Sequence, residues 1–452
     1  MITYSIIQKS QLEGGLRMDA EYYQQEYLNT FEKLKIFQTK SIGEISKVVY
    51  GTTPSGGVFE KRGIPFIRSQ NFSLLSIVDD FVFCSEDFHK QNKKSKVVSG
   101  DILFAAVGAT IGQVAVIQEN IKEANINQNI AAVKIKDEKF NPYFVGLFFA
   151  SYFGQLQIER LVTGNAQFYI NSEQIRNFVV PILNKKFQDE IAEIIQNVQK
   201  ELENSKVLYS QAEDLLLDGL ELKDFKVESD LSYIVNLSEI KSTHRADAEY
   251  FQPKYDKLIS KIKNQNAKML GDLTSMKKGI EPGGDVYQDG GKLFIRVSSV
   301  SKQGLIDKDQ KYLSNELYQN LKNNFEPEIG EILLTKDATP GIAYVLKEKV
   351  EGVVSSGIMR LKLKEDVESE YLSLCINSVI GKMQIERDSG GSIIEHWKPE
   401  QIKNLQIPIL SKSVQQKIAD LVQKSHKARK KANELLEAAK KTIEIAIENN
   451  KK

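Results

Sequence analysis

The segment Arg17-Met18-Asp19-Ala20-Glu21-Tyr22-Tyr23 returns further along the chain as Arg245-Ala246-Asp247-Ala248-Glu249-Tyr250-Phe251, a displacement of 245 − 17 = 228 positions. Phe66-Ile67-Arg68 returns as Phe294-Ile295-Arg296, again at 294 − 66 = 228. Gly100-Asp101-Ile102-Leu103 matches Gly330-Glu331-Ile332-Leu333, and Gln157-Ile158-Glu159-Arg160 matches Gln384-Ile385-Glu386-Arg387 at 384 − 157 = 227. Pro181-Ile182-Leu183 matches Pro408-Ile409-Leu410 at the same shift. Ordered matches at a nearly constant offset mark an internal duplication. Half of 452 residues is 226, so two copies account for almost the whole chain. That length exceeds what one core usually serves, and the duplication says how it divides.

Each copy opens with short β-type runs separated by glycine-bearing turns. In the first these are Val97-Val98, Ile102-Leu103-Phe104, Val114-Ala115-Val116-Ile117 and Ala131-Ala132-Val133-Lys134-Ile135, the pattern of a mixed, strand-rich domain. A helical stretch follows each. Near Phe187 to Leu220 the residues Ile191, Ile195, Val198, Leu202, Ser205, Tyr209, Ala212 and Leu216 recur in alternating steps of four and three, a coiled-coil heptad. From about Ser413 to Asn449 the series is Ile418, Val422, Ser425, Arg429, Ala432, Leu436, Ala439, Ile443 and Ala446, weak at Ser425 and Arg429. Neither seam is buried by its own helix. The two are expected to pack on each other, antiparallel because the second domain returns the chain. The predicted fold is therefore α+β: two pseudo-repeated strand-rich domains, residues 1–184 and 223–411, separated by long helices, 185–222 and 412–452, in an antiparallel coiled coil. A helix of about 33 residues spans roughly 50 Å.

A net charge of +1 gives no global basic footprint of the kind nucleic-acid binders often carry. Basic runs are local, Lys90 with Lys93, Lys94 and Lys96, and Lys261 with Lys263 and Lys268. Such runs serve as solvated faces or as phosphate contacts. No apolar run approaches the ~18 residues of a membrane span. The opening Met1 to Ser10 lacks a signal-peptide pattern, and only Cys84 and Cys375 occur, which suits a reducing cytoplasm.

Catalytic constellations are missing from the pattern. Asn141-Pro142-Tyr143-Phe144 resembles the Asn-Pro-Pro-Tyr of adenine methyltransferases, but the second proline is absent and Pro142 aligns with Ser369 in the other copy. Asn141 and Pro142 instead suit a helix start, as N-cap and first-turn proline. For a nuclease, none of the ten prolines precedes an aspartate. The acid-Leu-Lys at Glu221-Leu222-Lys223 ends a helix. The four histidines, His89, His244, His396 and His426, are scattered and the cysteines do not correspond, so neither a metal cluster nor a Cys/His couple has support. No phosphate-binding Gly-x-x-x-x-Gly-Lys-Ser/Thr occurs.

The order of motifs carries a resemblance. Gly51-Thr52-Thr53-Pro54-Ser55, Ile64-Pro65-Phe66-Ile67-Arg68, Ser99-Gly100-Asp101-Ile102-Leu103, Gly108-Ala109-Thr110-Ile111-Gly112-Gln113-Val114-Ala115 and Asn127-Gln128-Asn129-Ile130 follow one another, then Gln174-Ile175, Pro181-Ile182 and a coiled-coil helix. This series resembles a type I restriction-modification specificity subunit, the HsdS family, and does so in both halves. The resemblance implies a recognition subunit with no catalytic centre of its own. Each domain would read one half of a split double-stranded DNA target, and the helices would set the gap. Two methyltransferase subunits would dock around them, with restriction subunits able to join. S-adenosylmethionine would be used by the partner methyltransferase, with no cofactor or metal in this chain. A nearly neutral subunit then depends on basic partners for much of the phosphate neutralisation. A recognition subunit of another phage-defence or methyltransferase-nuclease system, or a duplicated coiled-coil scaffold that binds no DNA, stays open beside this reading.

Base edges are read by Arg, Lys, Asn, Gln, Ser and Thr on loops or helices entering the major groove. In the first domain the candidates are Thr52, Thr53, Ser55, Arg68, Ser69, Gln70, Asn71, Asn165, Gln167 and Tyr169; in the second, Arg296, Ser298, Ser299, Lys336, Thr339, His396 and Lys398. The copies part where one has Ala106-Val107-Gly108-Ala109-Thr110-Ile111-Gly112 and the other Lys336-Asp337-Ala338-Thr339-Pro340-Gly341, and where Asn127-Gln128-Asn129 faces Ser355-Ser356-Gly357. Readers of different half-sites need such divergence, and drift in surface loops produces it too. Arg68 and Arg296 occur in both copies, so phosphate contact or an internal ion pair suits them better than discrimination. Trp397 anchors the domain or stacks near DNA. The Arg-x-Asp-Ala-Glu-Tyr segment is framework or partner contact.

Overall fold

The computed structural model of the chain describes residues 4–12, 18–78, 80–161, 169–223, 225, 232–306, 310–389 and 396–449. The chain forms two compact units, residues 1–203 with 430–452, and residues 204–429.

The first unit contains strands β1 (Ser46–Tyr50), β2 (Ile64–Ile67), β3 (Val82–Cys84), β4 (Lys96–Val98), β5 (Ile102–Ala105), β6 (Val114–Val116), β7 (Glu123–Ile126) and β8 (Ile130–Ile135). They form an antiparallel sheet ordered β1-β8-β5-β6 and a mixed sheet ordered β3-β2-β7-β4, in which β2 and β7 run parallel. Strand β5 shows why its sequence is an unbroken apolar run. Successive side chains leave a strand on opposite faces, and both faces here are covered. Ile102 and Phe104 join the core of the helices, with Phe144, Phe148 and Phe149, whereas Leu103 joins Ile67 and Ile126 from the mixed sheet. The helical layer includes α1 (Gln25–Lys35), α2 (Pro142–Ala150) and α3 (Tyr152–Leu161). Asn141 caps α2, its Oδ1 accepting from the Tyr143 N–H at 3.0 Å, with Pro142 in the first turn.

The second unit repeats this plan with β9 (Thr274–Lys278), β10 (Lys292–Ile295), β11 (Lys311–Leu313), β12 (Ile332–Thr335), β13 (Ala343–Val345), β14 (Gly352–Val354) and β15 (Ile358–Leu363). The antiparallel sheet is ordered β9-β15-β12-β13 and the mixed one β11-β10-β14, with β10 and β14 parallel. The mixed sheet has three strands instead of four. Where the first unit has β4, this one carries Pro327, which has no N–H to give to a ladder. Helices α4 (Pro253–Lys263), α5 (Ser369–Asn377) and α6 (Val379–Asp388) cover the antiparallel sheet.

Two long helices, Lys185–Gly219 and Lys412–Glu448, each contribute to both units. In the first unit Ile191, Ile195 and Val198 share a core with Ala432, Leu436, Ala439 and Ile443. In the second, the Ser205 and Ser425 hydroxyls lie 3.1 Å apart, and Gly219 sits against Leu410. The partner number falls as the first rises, so the helices run antiparallel, the coiled coil that the heptads predict. Gln188 and Gln415 tie the helix starts to their domains. Gln188 donates to the carbonyls of Leu183 (2.9 Å) and Lys139 (3.0 Å) and accepts from the Asn141 N–H; Gln415 donates to the Leu410 carbonyl (2.8 Å) and accepts from the Glu368 N–H. Among the described residues no helix is long and apolar enough to cross a membrane.

Candidate nucleic-acid interface

The repeated motifs resolve into a framework that is the same in both units. Gln157 on α3 exchanges two hydrogen bonds with the Val179 backbone, at 2.9 and 3.0 Å, and Gln384 on α6 does so with Gln406 at the same distances. Arg160 donates to the Tyr22 carbonyl, and Arg387 donates to that of Tyr250 at 3.1 Å while lying over its ring. The Asp-Ala-Glu-Tyr segments are each pinned through their tyrosine by an arginine from the Gln-Ile-Glu-Arg motif of the same unit.

Loops converge at one end of each antiparallel sheet. In the first unit the Thr52 N–H donates to the Ile126 carbonyl at 3.0 Å, and Thr53 Oγ1 donates to Gln128 Oε1. Gly51 permits this approach: a Cβ there would lie 2.1 Å from the Ile126 carbonyl oxygen and 2.2 Å from that of Asn127. The Asn127 N–H reaches the Ile67 carbonyl beside Arg68, and Ala106 bonds Asn129 and Ile170 through its backbone. Val107 bridges Tyr169. Thr52, Thr53, Arg68 and Tyr169 are thus brought to one cluster, where Tyr50, Val107, Tyr169, Ile170, Asn171 and Ser172 line a cleft of about 420 Å³. Ser55 is exposed in the loop that follows Thr53.

The second unit builds the equivalent cluster from other side chains. The Ile280 N–H donates to the Val354 carbonyl, the Ser355 N–H to that of Ile295, and the Lys336 N–H to that of Gly357. Gly279 has the same close approach as Gly51, 2.2 Å from the Ser355 carbonyl oxygen. Asp337 bridges His396, and the Trp397 N–H donates to the Lys336 carbonyl. Lys336 Nζ lies 2.6 Å from Asp337 Oδ2, and His396 Nδ1 lies 2.9 Å from Oδ1. Burial works to raise the Asp337 carboxyl, but hydrogen bonds from Lys336 and His396 outweigh it and hold the group below its ordinary value. His396 belongs to this network and is exposed, as are Ser298, Thr339 and Lys398 in the adjoining segments, while Arg296 is half-buried.

Three candidates are taken up by the fold: Lys336, 8% exposed with its ammonium on Asp337, and the pair Asn71 and Ser299. Asn71 is 1% exposed, and its Oδ1 accepts from the Arg68 N–H at 2.8 Å while its Nδ2 donates to the Asp80 carbonyl. Ser299 stands in the same place, also 1% exposed, accepting from the Arg296 N–H. Their neighbours Ser69 and Gln70 keep partial or full exposure, and Arg68 Nε is buried without a hydrogen-bond acceptor among the described residues. Trp397 packs, 1% exposed, in the core of the second unit. Asn165 and Gln167 lie outside the described residues. Asp337 and Gln128 were not among the candidates, yet each orients one of them. The signal for Asp337 was its place in the stretch where the copies diverge.

Among the described residues no group of three or more His, Cys, Asp or Glu side chains is placed to hold a metal ion. The family model of the type I restriction modification DNA specificity domain matches the chain twice, over residues 35–210 and 262–441. Among solved structures, the S subunit of a type I restriction-modification system from M. genitalium is 14% identical, over 90% of this chain and 94% of that one, with a TM-score of 0.42. The HsdS subunit from Thermoanaerobacter tengcongensis is 13% identical over 91% and 96%, with a TM-score of 0.30. The type IIG restriction endonuclease BpuSI is 8% identical over 38% of this chain and 28% of that one, with a TM-score of 0.31.

Proposed function

Because the chain belongs to the type I restriction-modification DNA specificity family and serves as a DNA specificity subunit, we propose that each unit reads one half of a bipartite duplex target through its loop cluster. The observation that carries this reading is the pairing of one framework with two sets of tips. Gln157 and Gln384, Arg160 and Arg387, and Gly51 and Gly279 do the same work in the two units, while Val107 and Tyr169 are replaced by Asp337 and His396. Conserved geometry with altered hydrogen-bonding chemistry is what two readers of different base sequences need.

In the same reading the long helices set the gap between the halves and dock two methyltransferase subunits, which bind S-adenosylmethionine and carry the chemistry. Restriction subunits join that core where cleavage follows. The cytoplasm, where DNA is accessible and the free thiols Cys84 and Cys375 stay reduced, is the compartment that suits it.

The test is methylome sequencing of a host expressing this chain with its neighbouring methyltransferase, against the methyltransferase alone. The expected result is a new motif of two short halves around a fixed gap, present only with this chain. Exchanging residues 1–184 for another such domain then changes one half. Absence of any new motif beside an active methyltransferase overturns the reading in favour of a scaffold or another defence system.

A further inference from the structure

Tyr169 and His396 occupy one place in the fold. Each stands opposite the residue that follows the strand-end pair Ala106 or Lys336, in an isolated antiparallel bridge, and each is followed by a residue whose N–H donates to that strand end. Both reach solvent, Tyr169 at 47% exposure and the His396 side chain at 62%. Their surroundings differ. Tyr169 stands over an apolar partner, Val107, whereas His396 is held by a carboxylate that is itself held by Lys336.

That arrangement selects one tautomer of His396. Both Asp337 oxygens are engaged, one by the Lys336 ammonium and one by His396 Nδ1. An ionised carboxylate can only accept, so the Nδ1 facing it carries a proton, and of the two neutral tautomers the contact selects the one whose Nε2 is an acceptor. An exposed acceptor in a DNA-reading loop cluster selects a donor. The donors on base edges in the major groove are the exocyclic amino groups of adenine (N6) and cytosine (N4). We propose that His396, oriented by Asp337, determines specificity in the second half-site by accepting a hydrogen bond from one exocyclic amino group. The inference rests on the loop clusters being the DNA-reading surface.

The experiment uses the intact complex of this chain with its methyltransferase, and duplexes carrying the wild-type target. In the second half-site each adenine in turn is replaced by purine, and each cytosine by 2-pyrimidinone, which deletes the amino group. Wild-type protein is expected to lose about tenfold in affinity for one such duplex, the magnitude of one hydrogen bond. His396→Ala should already bind the unmodified duplex about tenfold more weakly and lose nothing further on that deletion. His396→Asn, which restores a side-chain acceptor, should recover part of the response. The proposal is overturned if no second-half deletion affects the wild type, if His396→Ala still responds to the same deletion, or if that variant loses all binding, which one hydrogen bond does not explain. Failure of the underlying reading is distinct: wild-type complex would then show no half-site selectivity at all.

Discussion

Arg160 Nε donates to the Tyr22 carbonyl oxygen at 2.9 Å, and the Arg160 guanidinium carbon lies 3.9 Å from the centre of the Tyr22 ring. The same guanidinium lies 4.5 Å from the Phe31 ring centre, and the arginine is buried. Arg160→Ala removes a charge-assisted hydrogen bond and the contacts with the rings of Tyr22, Tyr23 and Phe31, and should lower unfolding stability by about 2 kcal/mol. Arg160→Lys keeps the charge but not the planar fork, and should recover less than half of that. Urea denaturation measures both, and the DNA motif read by the surviving folded protein should be unchanged.

Gly51→Ala and Gly279→Ala should act on opposite halves of the target. Each added methyl meets two backbone oxygens closer than any real contact allows, so the β1 or β9 loop must swing away from its neighbour. Methylome sequencing should show degraded selectivity in the first half for Gly51→Ala and in the second for Gly279→Ala. An identical effect of both on the whole motif would contradict this.

Glu331 and Arg360 form a buried, bidentate pair at 2.8 and 3.1 Å. Removing one partner strands the other, so Glu331→Ala should destabilise the second unit by about 3–5 kcal/mol. Replacing both by apolar residues of similar volume should cost much less. Thermal melts of the single and double variants decide it.

Burial, reinforced by the cations Lys347 and Arg429, pushes the His426 imidazole down to about 4, against the pull of its hydrogen bond to the Lys302 carbonyl. An unfolded histidine titrates near 6.5. Between these values the unfolded chain holds a proton that the folded chain refuses. The stability contributed by neutral His426 is therefore present above about pH 6.5 and is lost as pH falls to about 4, by at most ~3 kcal/mol. His426→Gln should flatten this dependence, so the gap in melting temperature between wild type and variant should narrow from pH 7 to pH 4.

The duplication was legible because framework residues do one job twice. Arg160 and Arg387 need a tyrosine beneath them, Gln157 and Gln384 need a strand backbone, and those needs preserve spelling. The helices were legible because a seam with period 3.5 has one structural meaning. Ser425 looked like a defect in its own helix, and only Ser205 opposite makes it a match. The loops were less readable. Asn71 and Ser299 satisfy turn N–H groups with the same acceptor atoms that would read a base, and residue type does not separate the two uses. Asp337 carries a charge that repels phosphate, so its role in orienting His396 emerges only from geometry.

Ser425 Oγ also donates to the Ser205 carbonyl at 2.6 Å, inside a largely apolar seam. Alkyl groups alone are nearly indifferent to a slide of one heptad. Such a slide would set a serine hydroxyl against Ile418 or Ala432 and leave it without its partner. The serine pair thus acts as a detent. Register at this layer is held by a hydrogen-bonded match that a one-heptad slide would break.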